Sequence, residues 1–84
     1  MDRFTVVWHK DAEQQLIEIW LGAENREAVT AATVQIDREL SFAPETKGRI
    51  LHEQLRALNV PPLRVLFSIQ GAEQRVEVEV VRTI

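Results

Sequence analysis

The sequence predicts an α+β fold: a helical hairpin packed on one face of a mostly antiparallel sheet of about four strands, in the order β-α-α-β-β-β. Two observations carry this. From Ala12 to Leu40 apolar residues recur at helical spacing and after Gly48 at strand spacing, a single switch of period from 3.6 to 2. The segment between the two helical stretches, Gly22-Ala23-Glu24-Asn25, has room only for a tight turn, so the helices lie as a hairpin.

The first strand is FTVVWH, residues 4–9, a short run of β-branched and aromatic residues. Lys10-Asp11-Ala12-Glu13 follows, with acids in a first helical turn where the helix dipole favours them. In the helix over 11–23, Ala12, Leu16, Ile19, Trp20 and Ala23 form an apolar stripe, which Ile17 and Leu21 widen to nearly half the circumference. A stripe that wide has apolar area for the sheet and for a second surface. Asn25 is a good N-cap for the next helix, whose buried stripe is Val29, Ala32, Ile36 and Leu40 and which Pro44 stops.

Residues 50–58, ILHEQLRAL, alternate imperfectly. Leu51, Leu55 and Ala57 fall on one side and His52, Gln54 and Arg56 on the other, while Glu53 breaks the pattern, so that HEQLRAL also admits a helical reading. Asn59 to Pro62 form a turn. In the strand 63–69, Leu63, Val65, Phe67 and Ile69 point one way and Arg64, Leu66 and Ser68 the other. QGAEQ (70–74) is a turn, and RVEVEVVRT (75–83) is a final strand with Val76, Val78 and Val80 on one face. Parity sends Arg82 after those valines, to the helix-covered face, unless a bulge turns it back.

The totals bound the function. The chain of 84 residues is expected to be a single domain over 1–84. It has no cysteine, which excludes disulfides, thiolate zinc sites and cysteine nucleophiles and suits a reducing cytoplasm. No apolar run approaches the roughly 20 residues that cross a bilayer, so the expected location is cytoplasmic, with no membrane partner. Net charge is −3, which argues against a strongly basic nucleic-acid footprint. Eight of the ten cations are arginine, the side chain suited to forked contacts with phosphate or carboxylate.

No phosphate loop, zinc-protease motif or serine elbow occurs, and neither metal nor cofactor is expected. His9 and His52 are far apart in sequence and read as surface or strand-end residues; Trp8 and Trp20 read as core; Glu77 and Glu79 read as the wet side of a strand. The arginines carry the stronger signal. With helices over the odd-numbered face of strand 63–69, Arg64 emerges on the open face, which a regular ladder shares with His52, Gln54 and Arg56. Such a surface can hold a phosphate backbone; alternatively, Arg64 keeps one sheet face soluble while its stem covers Leu66.

The succession VVWHKDAEQQLIEIWL, then ID..L...P, LRALNVPPLRVLFSI and a closing VEVEVVR resembles the RelE/ParE superfamily of type II toxin–antitoxin toxins, of the plasmid-stabilisation type, over nearly the whole chain. The resemblance implies a small toxin neutralised by a cognate antitoxin, alone or as a homodimer or toxin–antitoxin hetero-oligomer. RelE-like members cut mRNA on the ribosome without a metal, whereas ParE-like members inhibit DNA gyrase. A third alternative is an attenuated, non-catalytic interaction module of the same fold. By position, Arg64 matches the strand arginine that contacts phosphate in RelE-like enzymes, with Arg56 or Arg82 as catalytic companions. Arg49, His52 and Arg56 join Arg64 as expected nucleic-acid or partner contacts.

Overall fold

A computed structural model describes residues 3–84 and shows two helices packed on one face of a five-stranded, mostly antiparallel sheet. Strand β1 spans Thr5–Trp8, helix α1 Lys10–Gly22 and helix α2 Arg26–Leu40. Strands β2 (Arg49–His52), β3 (Leu55–Val60), β4 (Leu63–Gln70) and β5 (Arg75–Thr83) follow, with single 3₁₀ turns at Pro44–Thr46 and Gly71–Glu73. The spatial order is β1-β5-β4-β3-β2, in which β1 runs parallel to β5 and every other neighbour is antiparallel.

The helices form where the periodicity places them. The Asn25 side chain accepts from the Ala28 amide at 3.0 Å, satisfying one free N–H of the first turn of α2. Val29, Ala32, Ile36 and Leu40 are all buried against Leu63, Val65, Phe67, Val76, Val78 and Val81 of the two central strands. Trp20 departs from expectation. It stays 38% exposed, its indole donates to Thr30 at 3.2 Å, and the Arg26 guanidinium lies 4.7 Å from its ring centroid. Arg26 also donates to the carbonyls of Trp20 and Leu21, so one side chain closes the C-terminus of α1 and fixes the hairpin bend.

The sheet has one strand more than the periodicity indicates. Residues 50–58 are two strands, β2 and β3, joined at Glu53-Gln54, where Glu53 takes a positive φ of 28°. The misplaced Glu53 of the alternation is therefore a turn residue. Strand β3 runs on to Val60, which leaves only Pro61-Pro62 as the connection to β4 and pairs Val60 with Leu63. Among the described residues no helix is long and apolar enough to cross a membrane.

Candidate functional site

Arg49 and Arg64 line one cleft at one end of the sheet face that the helices leave open, and Arg82 stands across from Arg64 on β5, where it also borders Gln15, Glu18 and Ile19 of α1. Arg64 arrives by simple alternation: Leu63, Val65 and Phe67 are fully buried under the helices, so the even positions of β4 emerge on the far side. Arg82 arrives by a bulge. The β4–β5 register shifts between Leu66 and Phe67, which pair with Val80 and Val78, so Glu79 is an extra residue in β5. Past that point the parity is reversed: Val81, not Val80, enters the core, and Arg82 stands directly opposite Arg64. The expectation that Arg82 lies under the helices is thus overturned. Gln15 of α1 is what holds the far side of the bulge, its side-chain oxygen accepting from the Val81 amide at 2.8 Å.

Arg49 comes from the outer strand. It pairs with Ala57, which pairs with Leu66 on the open face. Gly48 makes this approach possible: its φ is +68°, and a Cβ there would sit 2.3 Å from the Ala57 carbonyl oxygen. Asn59 pairs with Arg64, completing a row of Asn59, Arg64 and Arg82 across three strands. A cleft of about 410 Å³ is lined by Gly48, Arg49, Ala57, Asn59 and Arg64.

Arg56 belongs to the other face. The two-residue Pro61-Pro62 turn pairs residues of β3 and β4 whose numbers sum to an odd value, so even positions of β3 face with odd positions of β4. Arg56 therefore pairs with Phe67 on the helix side and donates to the Lys47 carbonyl at 3.2 Å. Sequence parity assigned it, with Gln54, to Arg64's side. His52 does reach the open face, because a register shift between Ile50 and His52 sets it opposite Leu55.

Arg49, Arg64 and Arg82 form no ion pair with a carboxylate among the described residues. Like charges directly opposite on neighbouring strands repel, so the Arg64/Arg82 pair is unfavourable alone and becomes favourable when an anion lies between. The chemistry on offer is recognition of phosphate or carboxylate.

The opposite end of the open face differs in sign. His9, at the β1–α1 junction, donates from Nε2 to Glu77 Oε1 at 2.9 Å, and Arg75 bonds the other carboxylate oxygen at 2.8–2.9 Å. The hydrogen bond from His9, then that from Arg75, hold the Glu77 carboxyl below its ordinary range. His9 and His52, far apart in sequence, line one cleft there with Glu77, Glu79 and Ser68. Sequence reasoning missed this grouping, because only the parallel pairing of β1 with β5 brings the first to the last part of the chain. Among the described residues no group of three histidine, cysteine or acidic side chains is placed to hold a metal ion.

No protein-family profile matches the chain, and no curated protein matches it by sequence. Solved structures do match. The RelBE2 toxin–antitoxin complex of Mycobacterium tuberculosis superposes with a TM-score of 0.82 at 18% identity, over 100% of this chain and 94% of the other. The chromosomal ParDE toxin–antitoxin system of P. aeruginosa gives 0.73 at 16% identity, over 98% and 97%. The archaeal RelE–RelB complex of Pyrococcus horikoshii OT3 gives 0.71 at 12% identity, over 96% and 94%. The chain has the fold of the RelE/ParE toxins.

Proposed function

We propose that this chain, with its RelE/ParE toxin fold, is the toxin of a type II toxin–antitoxin module that cleaves ribosome-bound mRNA and is neutralised by a cognate antitoxin. The observation that carries the reading is the set of arginines without carboxylate partners, Arg49, Arg64 and Arg82, on one open face. In cleavage, the 2′-hydroxyl gives its proton to solvent as its oxygen attacks the adjacent phosphorus, the bond to the 5′-oxygen breaks, and that oxygen takes a proton from solvent, leaving a cyclic phosphate and a free 5′-hydroxyl. Negative charge accumulates on the non-bridging oxygens as phosphorus becomes five-coordinate. Arg64 and Arg82, facing each other across β4 and β5, present two guanidinium forks to those oxygens, and Arg49 meets a neighbouring phosphate. The described side chains contribute charge and orientation to this reaction, with no metal ion in any step.

The same arginines serve a second reading, gyrase inhibition, which the net charge of −3 favours because a ribosome-directed protein gains from a positive field. Induced expression followed by transcriptome-wide mapping of RNA 5′ ends separates the two. New cleavage sites in translated messages are expected, with gyrase supercoiling unaffected; arrested growth with intact messages and inhibited gyrase overturns cleavage in favour of the second reading. Growth without arrest supports the attenuated interaction module. Arg64→Lys keeps the charge but loses the fork, and is expected to reduce cleavage by about tenfold or more, with Arg64→Ala lower still. Wild-type cleavage by Arg64→Ala would return the arginine to a solubilising role.

A further inference from the structure

We propose that the open face docks a polypeptide helix with charges of both signs: an acidic residue held by Arg64 and Arg82, and a lysine or arginine received by the cleft between His9, His52, Ser68 and Glu79. The cleft has a volume of about 510 Å³, and neither a lysine nor an arginine is among its lining residues. Ser68 is only 6% exposed, yet its hydroxyl faces the cleft and makes no hydrogen bond among the described residues. Glu77 is already bonded to His9 and Arg75, whereas Glu79, set out of the ladder by the bulge, has no ion pair among the described residues. Glu79, the Ser68 hydroxyl and the Gln54 amide together offer acceptors to one cationic group.

The spacing and the backbone select the occupant. Ser68 lies four residues from Arg64 along β4, about 13 Å, with Leu66 and Val80 between them as an apolar ledge. A nucleic-acid strand held at the arginines meets only cations there, but one continued along β4 into the cleft would set its phosphates against Glu79. A polypeptide carries both signs. An extended strand laid flat on a sheet face leaves its own amides unpaired, whereas a helix satisfies them internally and adds a third layer. About 13 Å is about nine residues of helix, and the helix dipole favours the acid near its N-terminus and the base near its C-terminus. The docking site shares Arg64 and Arg82 with the toxin reading, but the cleavage step proposed above uses no group of the cleft, so the two can fail separately.

The test is titration of the intact ¹⁵N-labelled chain with two helical peptides of about sixteen residues. One carries Glu near its N-terminus and Arg about nine residues later; the other has Glu at both places. The first is expected to bind and to shift the amides of Ser68 and Glu79. Glu79→Lys is expected to lose the first peptide by about tenfold or more and to gain the second, a swap that a misfolded variant cannot produce. Glu79→Gln, the milder change, is expected to weaken the first several-fold. No binding of the first peptide, equal affinities across the variants, or the same Ser68 and Glu79 shifts produced by a single-stranded RNA oligonucleotide would overturn the proposal.

Discussion

Arg64 and Glu77 show how differently two charged side chains of neighbouring strands are used. Arg64 faces Arg82 and forms no carboxylate pair among the described residues, so its charge is available to an incoming anion. Glu77 is held between His9 and Arg75, and its carboxyl stays below the ordinary range mainly because of the bond from His9. A carboxyl whose pKa is lowered by folding stabilises the fold above its unfolded value and loses that contribution as pH falls through the folded value. The pairing therefore supports the protein at neutral pH and fades only in acid. His9→Ala is expected to move the Glu77 titration upward toward the ordinary carboxylate range, followed by side-chain carboxyl ¹³C shifts. An unmoved titration would assign the effect to Arg75 alone.

The bulge in β5 is the element that builds the arginine row, and it depends on α1. Gln15 sits within the inward stripe of that helix, between Ala12 and Ile19, where the period calls for an apolar residue. Its oxygen accepts from the Val81 amide just past the bulge. Gln15→Ala leaves that amide without its partner and is expected to cost about 1–3 kcal/mol, read as a lowered urea midpoint with an unchanged slope. The β2 approach depends on Gly48 in the same way. Gly48→Ala drives a methyl group into the Ala57 carbonyl and strains a positive φ, so detachment of β2 is expected, read as faster exchange of the amides that pair β2 with β3 while those pairing β3 with β4 stay protected. Trp20 belongs to this scale too. Its place on an apolar stripe suggested core, but the hairpin bend puts Arg26 over it and turns it into a lid on the helix junction.

Taken whole, the molecule sets an acidic helical layer behind a sheet face that is cationic at one end and acidic at the other. Residues 10–40, the helical layer, hold seven acidic side chains against three basic ones, while Arg49, Arg64 and Arg82 gather on the opposite face. On the helical side Ile17 and Val34, each 52% exposed, line an apolar groove between the helices, and Leu21, 57% exposed, lies one turn along α1 from Ile17. Exposed apolar area of this kind fits a partner's amphipathic helix, and under the toxin reading that partner is the antitoxin. Ile17→Lys with Leu21→Lys is expected to change stability little, since both sites face solvent. Cells co-expressing antitoxin with this variant should show growth arrest that the wild-type pair does not. Full neutralisation of the variant would move the antitoxin contact to another surface, such as the exposed outer strand β2.

The α+β class, the hairpin, the buried stripe of α2 and the alternation that exposes Arg64 were legible because each follows from local periodicity, which is a property of consecutive residues. Asn25 as a cap and Pro44 as a stop belong to the same kind. What tertiary structure decided were the features that depend on register. One extra residue at Glu79 reverses the parity of everything after it, so Arg82 joins Arg64; the two-residue Pro61-Pro62 turn sends Arg56 to the other face. The meeting of His9 with Glu77 required β1 to pair with β5, almost the full length of the chain away. Register is set by turn length, bulges and strand partners, so a side chain's neighbours across a sheet emerge only when the strands are assembled.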